Sequence, residues 1–513
     1  MAKICICLTA KTLGRNLQIL EKYRNYVDLA ELRVDCLSPD ERLLARRFPE
    51  QASVPVILTI RRDVDGGYFT SGEGARINLL ARGLAYADVD RRKNFAYIDI
   101  EDDINVPSLE EAARTFGTRI IRSYHNTKGD EEDLAARIRS MSRSGDEIVK
   151  VGIMAKSAWD TLNLLRASRE FKKRDKILIS MGRNGIYSRI LSEQFGSFLS
   201  YASPIAEKDA VTAGIGQFDV EELARLYRFR SITAATKIYG LAGFPLEVTG
   251  RSISLFNAIF EMENIDAVYV PFPADSITAC MELAKELGIE GLSATVPYKE
   301  SVIPLLDEQS PEVEKIGACD TLLWQDGEQG PQGWIGTNIE SRAFSDSLLE
   351  FLGRQNLRRM RATVIGAGSA AKAVAHELHR LGAKALILNR TARKARDLAS
   401  PYKFAWGSLD SQDVKMIGKY NDIIIQATSA RAGAEGNGFG DPVERYSFAG
   451  KEMVMDLVYM PEITPFLRRA ANAGCQIQNG YDMSIRRAKY QYAQFLGREF
   501  PEHFFQKINL GTD

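Results

Sequence analysis

The residue with the most chemical promise in the first half of the chain is Lys150, set in the apolar run Glu147-Ile148-Val149-Lys150-Val151-Gly152. A lysine in a strand buried on both faces is costly unless it loses its proton or meets a partner. Its amine pKa then falls, and a neutral amine attacks carbonyls. A lysine on an edge strand, pointing at water, is the plain alternative. The neighbours tilt the balance. At or near the ends of other strand-like runs stand Glu31, Arg33, Arg61, Asp99, Glu101 and His125, and Arg189 and Gln217 follow in later loops. Glu31/Arg33 and Asp99/Glu101 are i, i+2 pairs, so each pair faces one side of its strand. Taken singly, each reads equally well as a salt bridge at a strand end. Together they point to a Schiff-base site. Lys150 condenses with a ketone to give an iminium, an electron sink. His125, with a pKa near neutrality, takes the proton alpha to it and returns one to a leaving hydroxyl. Arginines hold a carboxylate by paired hydrogen bonds. This logic fits a class I aldolase as well as a dehydratase.

The elements that must position these groups are short strands alternating with helices. Strand-like runs cover residues 3–9, 29–37, 54–61, 95–101, 118–125, 147–153, 176–182 and 198–203, with amphipathic pieces such as Leu134–Arg143 and Ala158–Lys172 between them. Eight such units imply a closed (β/α)8 barrel, whose chemistry sits at the C-terminal strand ends. An open doubly wound sheet is the alternative, but it usually begins with a Gly-rich turn, which this segment lacks.

The chain's bulk properties exclude several classes. Its 513 residues suggest two to four domains at roughly 150 residues each. With 67 basic and 67 acidic residues the formal charge is zero, which argues against a nucleic-acid or membrane-surface binder. No apolar run approaches a membrane span. The N-terminus reads as a first strand and not as a signal peptide. Six cysteines without a CxxC pair fit a reduced, cytoplasmic enzyme. No cluster has metal-ligand spacing, so no metal is expected. The implied partners are small molecules, and the sequence leaves the oligomeric state open.

The stretch 229–237 is short and polar and marks a boundary. A linker this short limits how far the halves separate. Beyond it, Ala267–Pro271 and Gly291–Pro297 read as strands with a helix over Ser276–Leu287 between them, and 325–334 reads as a hairpin connection. Arg361–Ala371 is a strand leading into Gly366-Ala367-Gly368-Ser369-Ala370-Ala371 and a helix. Here the glycines permit a tight turn and close approach of a pyrophosphate to the helix N-terminus. The next strand ends in Asn389-Arg390-Thr391, with Arg393 and Lys394 following. An NAD site prefers an acidic residue there. Basic and hydroxyl groups fit a 2′-phosphate, so NADP is the expected cofactor. A solvated basic loop is the plain alternative. His376 and His379 read as structural.

In the first half, ELRVD (31–35), TIRR…GG (59–67), SYH (123–125), VKVG (149–152), MGRNGIYSRI (181–190) and GQF (216–218) stand in order. This set resembles the type I 3-dehydroquinate dehydratases. The resemblance implies a TIM barrel over 1–228, Lys150 as Schiff-base former, His125 as general acid/base, and Glu31, Arg33, Arg61, Arg189 and Gln217 as substrate ligands. Asp65 and Ala213 depart from the family's Glu and Ser.

The second half carries GFPLEVTGRSIS…N (243–257), ATVPYK (294–299), IGACDT (316–321), GTN (336–338), GAGSAA (366–371), NRT (389–391), ATS (427–429), DLVYMPEITPF (456–466) and GYDM (480–483). It resembles shikimate dehydrogenase. That resemblance implies a two-lobed α/β dehydrogenase: a substrate lobe over 237–337, a Rossmann NADP-binding lobe over 338–475, and C-terminal helices over 476–513 packing back. Lys299 becomes the catalytic lysine, Glu340 its assisting carboxylate, and Ser252 and Thr295 substrate ligands. Gly366, Ala367, Gly368, Ser369, Ala370, Asn389, Arg390, Thr391 and Lys394 hold the cofactor, with Met483 near the nicotinamide. The substrate motifs depart at Thr249 or Gly250, Ser293, Asp320, Ile339, Glu340 and Arg487, of which Thr249, Ser293, Asp320 and Arg487 are still expected to bind substrate, and the cofactor side departs at Gln426. The expectation is a bifunctional enzyme that dehydrates 3-dehydroquinate and then reduces 3-dehydroshikimate with NADPH. Two alternatives for the second half are a dehydrogenase for quinate or a related hydroxy acid, and a non-catalytic NADP-binding module.

Overall fold

The apolar runs of the first half form eight short parallel strands. They are β1 (Lys3–Leu8), β2 (Leu29–Arg33), β3 (Val56–Thr59), β4 (Tyr97–Glu101), β5 (Arg119–Asn126), β6 (Ile148–Met154), β7 (Lys176–Met181) and β8 (Leu199–Ser203). The structure is a computed structural model. It describes the chain apart from residues 86–87, 129–132, 142, 144, 172–174, 205–214, 244–245, 328–331, 411, 429–439 and 505–513, and apart from the side chains of 246–250. The strands pair in sequence order and β8 pairs with β1. A two-residue strand, β9 (Phe218–Asp219), adds to β8.

Among the described residues the ring closes between β7 and β8 through a single bridge, Lys176 to Ser197, with Phe198 N–H donating to the Lys176 carbonyl at 2.6 Å. Ser197 laces this seam. Its Oγ accepts from Leu178 N at 2.8 Å and donates to Leu178 O at 3.1 Å. Side chains alternate along each strand. Cys5, Leu29, Ile57, Tyr97, Ile121, Ile148, Ile177 and Leu199 therefore fill the barrel as an apolar plug. The residues two further on are Cys7, Glu31, Thr59, Asp99, Ser123, Lys150, Ile179 and Tyr201. They form the next layer towards the C-terminal mouth, and none is more than 7% exposed.

Surrounding helices include Leu134–Met141 and Ala158–Glu170, each slightly shorter than the amphipathic pattern suggests. The segment before the linker forms a π-helical turn, Glu222–Leu226.

The chain divides into two compact units, Met1–Ile289 and Glu290–Asp513. The first holds the barrel together with β10 (Lys237–Ala242), the helix Leu246–Met262, β11 (Ala267–Phe272), parallel to β10, and the helix Ile277–Leu287. That last helix lies against the barrel helix Ala158–Glu170. Packing thus crosses the short connector at 229–237.

The second unit begins with β12 (Ile289–Ala294), nearly all of which it contains. β13 (Glu308–Gln309), β14 (Thr321–Gln325) and β15 (Gly333–Thr337) follow. β14 is antiparallel to both β12 and β15, and β13 runs parallel to β15. The turn-rich stretch 325–334 joins β14 to β15 as the hairpin pattern requires. Then β16 (Arg361–Ile365), β17 (Lys384–Leu388), β18 (Ala405–Gly407), β19 (Ile423–Gln426), β20 (Met453–Asp456) and β21 (Gln476–Gln478) form a parallel sheet in the order β18-β17-β16-β19-β20-β21. This is the doubly wound order, with its switch point between β16 and β19, where dinucleotides bind. Among the described residues no helix is long and apolar enough to cross a membrane, and no group of His, Cys, Asp and Glu could hold a metal ion.

Candidate functional site

Two constellations stand out, one at the barrel mouth and one in the second unit. In the barrel, β6 carries Lys150 inward by strand alternation. Its Nζ lies 2.8 Å from Asp99 Oδ2 and 3.3 Å from Glu31 Oε1, and 4.5 Å from the centre of the Tyr201 ring. Asp99 is the hub. It also accepts from Arg61 Nη2 at 2.8 Å and from Ser123 Oγ. Arg61 Nη1 reaches Glu101 at 2.8 Å and Ser123 at 3.1 Å. Burial acts to raise the Asp99 carboxyl, but Arg61, Lys150 and His125 outweigh it and hold it well below the ordinary carboxylate range. Glu101, the next carboxyl on β4, is raised by burial and by the Asp99 charge. Buried charges persist only where partners compensate them, and here the compensation is mutual.

His125 sits at the end of β5, in register with Gly152 of β6. A Cβ at Gly152 would come within 3.3 Å of His125 Cδ2, so the glycine leaves room for the ring. Nδ1 is buried and has no hydrogen-bond partner among the described residues. The pKa differs from the near-neutral value expected. Burial, with Arg61 and Lys150 beside the ring, pushes it well below 6.5, and Asp99 only partly opposes them. His125 is a neutral base at neutral pH.

Arg189 follows β7 on the short helix Tyr187–Ile190 and is 2% exposed. Nη2 donates to Ile215 O at 2.9 Å, while Nε and Nη1 have no partner among the described residues. Burial pushes its guanidinium down to about 10. Gln217 is hydrogen-bonded to Ser203 and stands 3.4 Å from Cys7 Sγ. Arg33 turns to Asp35, with bonds of 3.0 and 2.8 Å. Asp35 also accepts from Arg61 N and Tyr68 N, which ties the loop after β3 to the mouth. Asp65 pairs with Arg62 at 2.6 Å, and Ala213 lies outside the described residues. The structure therefore gathers Lys150, Glu31 and Arg61 with Asp99, Ser123 and Tyr201. Of the last three, the sequence offered only Asp99, as a strand-end carboxylate without a role. The alternation of β5 and β8 was the available signal for Ser123 and Tyr201.

In the second unit, β12 runs through Ser293 to Thr295 and a cis peptide at Val296-Pro297, then into the one-turn helix Tyr298–Ser301 bearing Lys299. Lys299 Nζ lies 2.5 Å from Glu340 Oε2, and both side chains are at least nine-tenths buried. Glu340 is the second residue of the helix Ile339–Leu352, whose N-cap is Asn338. Burial acts to raise the Glu340 carboxyl, but Lys299 and Arg487 overcome it and lower it. Arg487, on the helix Tyr481–Leu496, approaches Glu340 to 4.0 Å.

Asp320, expected to bind substrate, has both oxygens engaged. Oδ1 accepts from Thr321 Oγ1 at 2.7 Å and Ile339 N at 3.3 Å, and Oδ2 accepts from Glu340 N at 2.9 Å. It caps the helix that carries Glu340. Its own carboxyl is raised by burial and by Glu340. Ser293 is buried opposite Thr321, and Thr295 is partly exposed. Ser252 is half-buried on the first unit's helix Leu246–Met262, and the Thr249 side chain lies outside the described residues.

At the switch point, Gly366 has φ +122°, and a Cβ there would lie 2.9 Å from Ala427 O. Gly368 caps the helix Ser369–Arg380 without a side-chain bond, and a Cβ on it would meet nothing within 4 Å. Ala367 and Ala370 add only methyl groups. This open, uncapped helix end fits a pyrophosphate. Asn389 binds Thr391 O at 3.0 Å, and Arg390, Thr391 and Lys394 are exposed beside it. Met483 is buried in the cluster that includes Ala371, Ala427 and Met455. His376 and His379 lean on Tyr402.

Comparison with known proteins finds relatives for both halves of the chain. Residues 4–234 match the family model of type I 3-dehydroquinase, 241–322 that of the shikimate dehydrogenase substrate binding domain, and 350–464 that of shikimate/quinate 5-dehydrogenase. A chloroplastic bifunctional 3-dehydroquinate dehydratase/shikimate dehydrogenase of Arabidopsis thaliana is 28% identical over 499 residues, covering 94% of this chain and 79% of that protein. An NADP(+) shikimate dehydrogenase of Caldanaerobacter subterraneus is 33% identical over 284 residues, 54% of this chain and 98% of its own length. The shikimate biosynthesis protein AroDE of Chlamydia pneumoniae is 26% identical over 500 residues, 96% of this chain and 94% of that protein. The chain belongs to the family of bifunctional proteins that join a type I 3-dehydroquinase to a shikimate dehydrogenase.

Proposed function

We propose that the barrel dehydrates 3-dehydroquinate through a Schiff base on Lys150 and that the second half reduces the resulting 3-dehydroshikimate with NADPH. The observation that carries the first step is Lys150, 4% exposed and held between two carboxylates. Condensation with the ketone releases water and leaves an iminium cation where the ammonium stood. Asp99, Glu31 and the Tyr201 ring already face that position, so the charge needs no rearrangement around it. Neutral His125 takes the alpha proton, and the electron pair moves into the iminium. His125 then returns a proton to the departing hydroxyl, which leaves as water, and hydrolysis frees the product. Arg189 and Arg61 bind and orient the substrate, with Glu31 and Gln217 at its other polar groups. Arg33 acts from its pairing with Asp35. Borohydride added with 3-dehydroquinate should fix the substrate to Lys150. A folded protein that gives no adduct on that residue would end this mechanism.

For the second step, the bound nicotinamide supplies the hydride. Lys299, in its ion pair with Glu340, delivers a proton from Nζ to the carbonyl oxygen. Arg487 holds Glu340 in place from the C-terminal helix, and Asp320 positions it from below. The uncapped helix at Gly366–Ser369 suits the pyrophosphate, and Arg390, Thr391 and Lys394 suit a 2′-phosphate, which favours NADP. The six thiols fit a reducing, cytoplasmic setting. A second reading, a dehydrogenase for quinate or a related acid, is favoured by the charged Arg487 beside the lysine pair. Mixing the protein with 3-dehydroquinate and NADPH separates the two. A rise of enone absorbance followed by loss of NADPH supports the first. Enone accumulation at constant NADPH, with turnover of quinate, supports the second.

A further inference from the structure

The dehydratase barrel and the first part of the dehydrogenase sequence pack as one unit, and two of their contacts reach elements that bear the barrel's site. Tyr187 opens the short helix that ends in Arg189 and Ile190. Its ring stacks on Phe272, at the end of β11, with centroids 4.7 Å apart and planes at 17°, and both rings are fully buried. Asp275, three residues on, accepts at Oδ1 from Ala158 N at 3.1 Å. Ala158 is the first residue of the helix that follows β6, the strand of Lys150. Farther out, Glu286 pairs with Arg166 at 3.1 Å and with Arg169. Phe272, Asp275 and Glu286 all lie within the 241–322 match to the dehydrogenase substrate domain.

We propose that Phe272 and Asp275, residues of the dehydrogenase sequence, are positioning residues of the dehydratase. Arg189 has one protein hydrogen bond among the described residues, to Ile215 O. A side chain so weakly tied takes its position from its backbone. That backbone is a four-residue helix, too short to be stable alone. On a helix, residues two apart point about 200° from each other. Tyr187 therefore faces the dehydrogenase segment while Arg189 faces the barrel. Ser188 between them hooks to Ser180 N of β7 at 3.1 Å. The helix pivots on that hook, and Phe272 fixes its outer arm. Displacement of the arm moves the guanidinium, and displacements near 1 Å in a site cost up to about a hundred-fold.

This inference rests on the dehydratase reading, which wild-type turnover tests by itself. The test compares Phe272→Ala, Phe272→Leu, Asp275→Ala and Glu286→Ala in the full chain, reading dehydratase kcat and KM and the 3-dehydroquinate concentration that half-saturates borohydride trapping on Lys150. Phe272→Ala should raise KM for 3-dehydroquinate about ten-fold with kcat within two-fold of wild type, and should raise the half-saturating concentration for trapping in step. Phe272→Leu should recover much of both, Asp275→Ala should give a smaller rise in KM, and Glu286→Ala should leave KM unchanged. Trapping on Lys150 reports the barrel site alone, and a wild type that neither turns over nor traps would fail the dehydratase reading, whereas wild-type activity with unaltered variants fails this inference. Should Phe272→Ala fail to fold, Asp275→Ala decides. An unchanged KM and half-saturation in Phe272→Ala or, where that variant does not fold, in Asp275→Ala overturns the proposal. So does an equal rise in Glu286→Ala, which would mean that loosening the whole contact, and not positioning, is responsible.

Discussion

Replacing Arg189 by methionine should make the protein more stable and the dehydratase much worse. The guanidinium is 2% exposed, and two of its nitrogens lack a protein partner among the described residues. Burial pushes its pKa from the ordinary guanidinium value down to about 10. At 1.36 kcal/mol per pH unit, keeping the group charged costs the folded state about 3 kcal/mol. Because the folded pKa is lowered and the group is cationic, that cost is fully present below pH 10 and vanishes only above the ordinary guanidinium pKa. Methionine removes the cost and gives up one charge-assisted hydrogen bond worth about 1.5–3 kcal/mol, a net gain of at most about 1.5 kcal/mol that should be flat between pH 6 and 9. A substrate carboxylate that filled Nε and Nη1 would add charged hydrogen bonds worth about 1.5–3 kcal/mol each. Their loss lowers kcat/KM by about 10²- to 10⁴-fold. Denaturant melts of the wild type and Arg189→Met at several pH values, alongside steady-state dehydration, make the comparison. A variant that is less stable than wild type, or that keeps its KM, refutes the reasoning.

Further expectations concern single groups. Because His125 is held neutral, the acid limb of dehydratase kcat/KM should lie below pH 6.5, and a break at or above that value that disappears in His125→Asn would contradict the assignment. Lys150→Met should abolish dehydration and leave shikimate oxidation intact, while Lys299→Met should do the reverse, which coupled assays with each substrate can resolve. Asp320→Asn can cap only one of the two amides that the carboxylate serves. It should cost about 1 kcal/mol of stability and, by removing the charge that opposes Glu340, shift the acid limb of shikimate oxidation to lower pH. Arg390→Ala should lower the NADP-over-NAD preference at least ten-fold in a cofactor panel, and an unchanged ratio would leave that arginine without a role.

Much of this was legible because period and punctuation survive in a single sequence. Strand alternation alone places Lys150, Glu31 and Asp99 on the inside of one ring, and the glycines at 366 and 368 mark the turn whose close approach the Ala427 carbonyl enforces. What stayed hidden depends on distance in three dimensions. Asp99 is one of several strand-end carboxylates until Arg61, Ser123 and Lys150 converge on it. Histidine pKa follows from neighbours, so the cations beside His125 could not be weighed. Asp320 looks like a pocket residue by motif. Only the placement of the helix Ile339–Leu352 turns it into a cap. Phe272 and Asp275 read as ordinary dehydrogenase residues because the surface they meet is folded from another part of the chain.

The single bridge between β7 and β8 has a consequence for how the barrel breathes. A ring closed on seven sides by strand ladders and, among the described residues, on the eighth by one bridge has a preferred place to part. Hydrogen exchange at Leu178 and Phe198 should therefore proceed by a local opening well below the free energy of global unfolding. The other strand amides should exchange far more slowly. Such an opening would briefly expose two strand edges, which is the hazard that invites pairing between chains. Ser197, bonding both ways to Leu178, is the clasp that keeps that interval short.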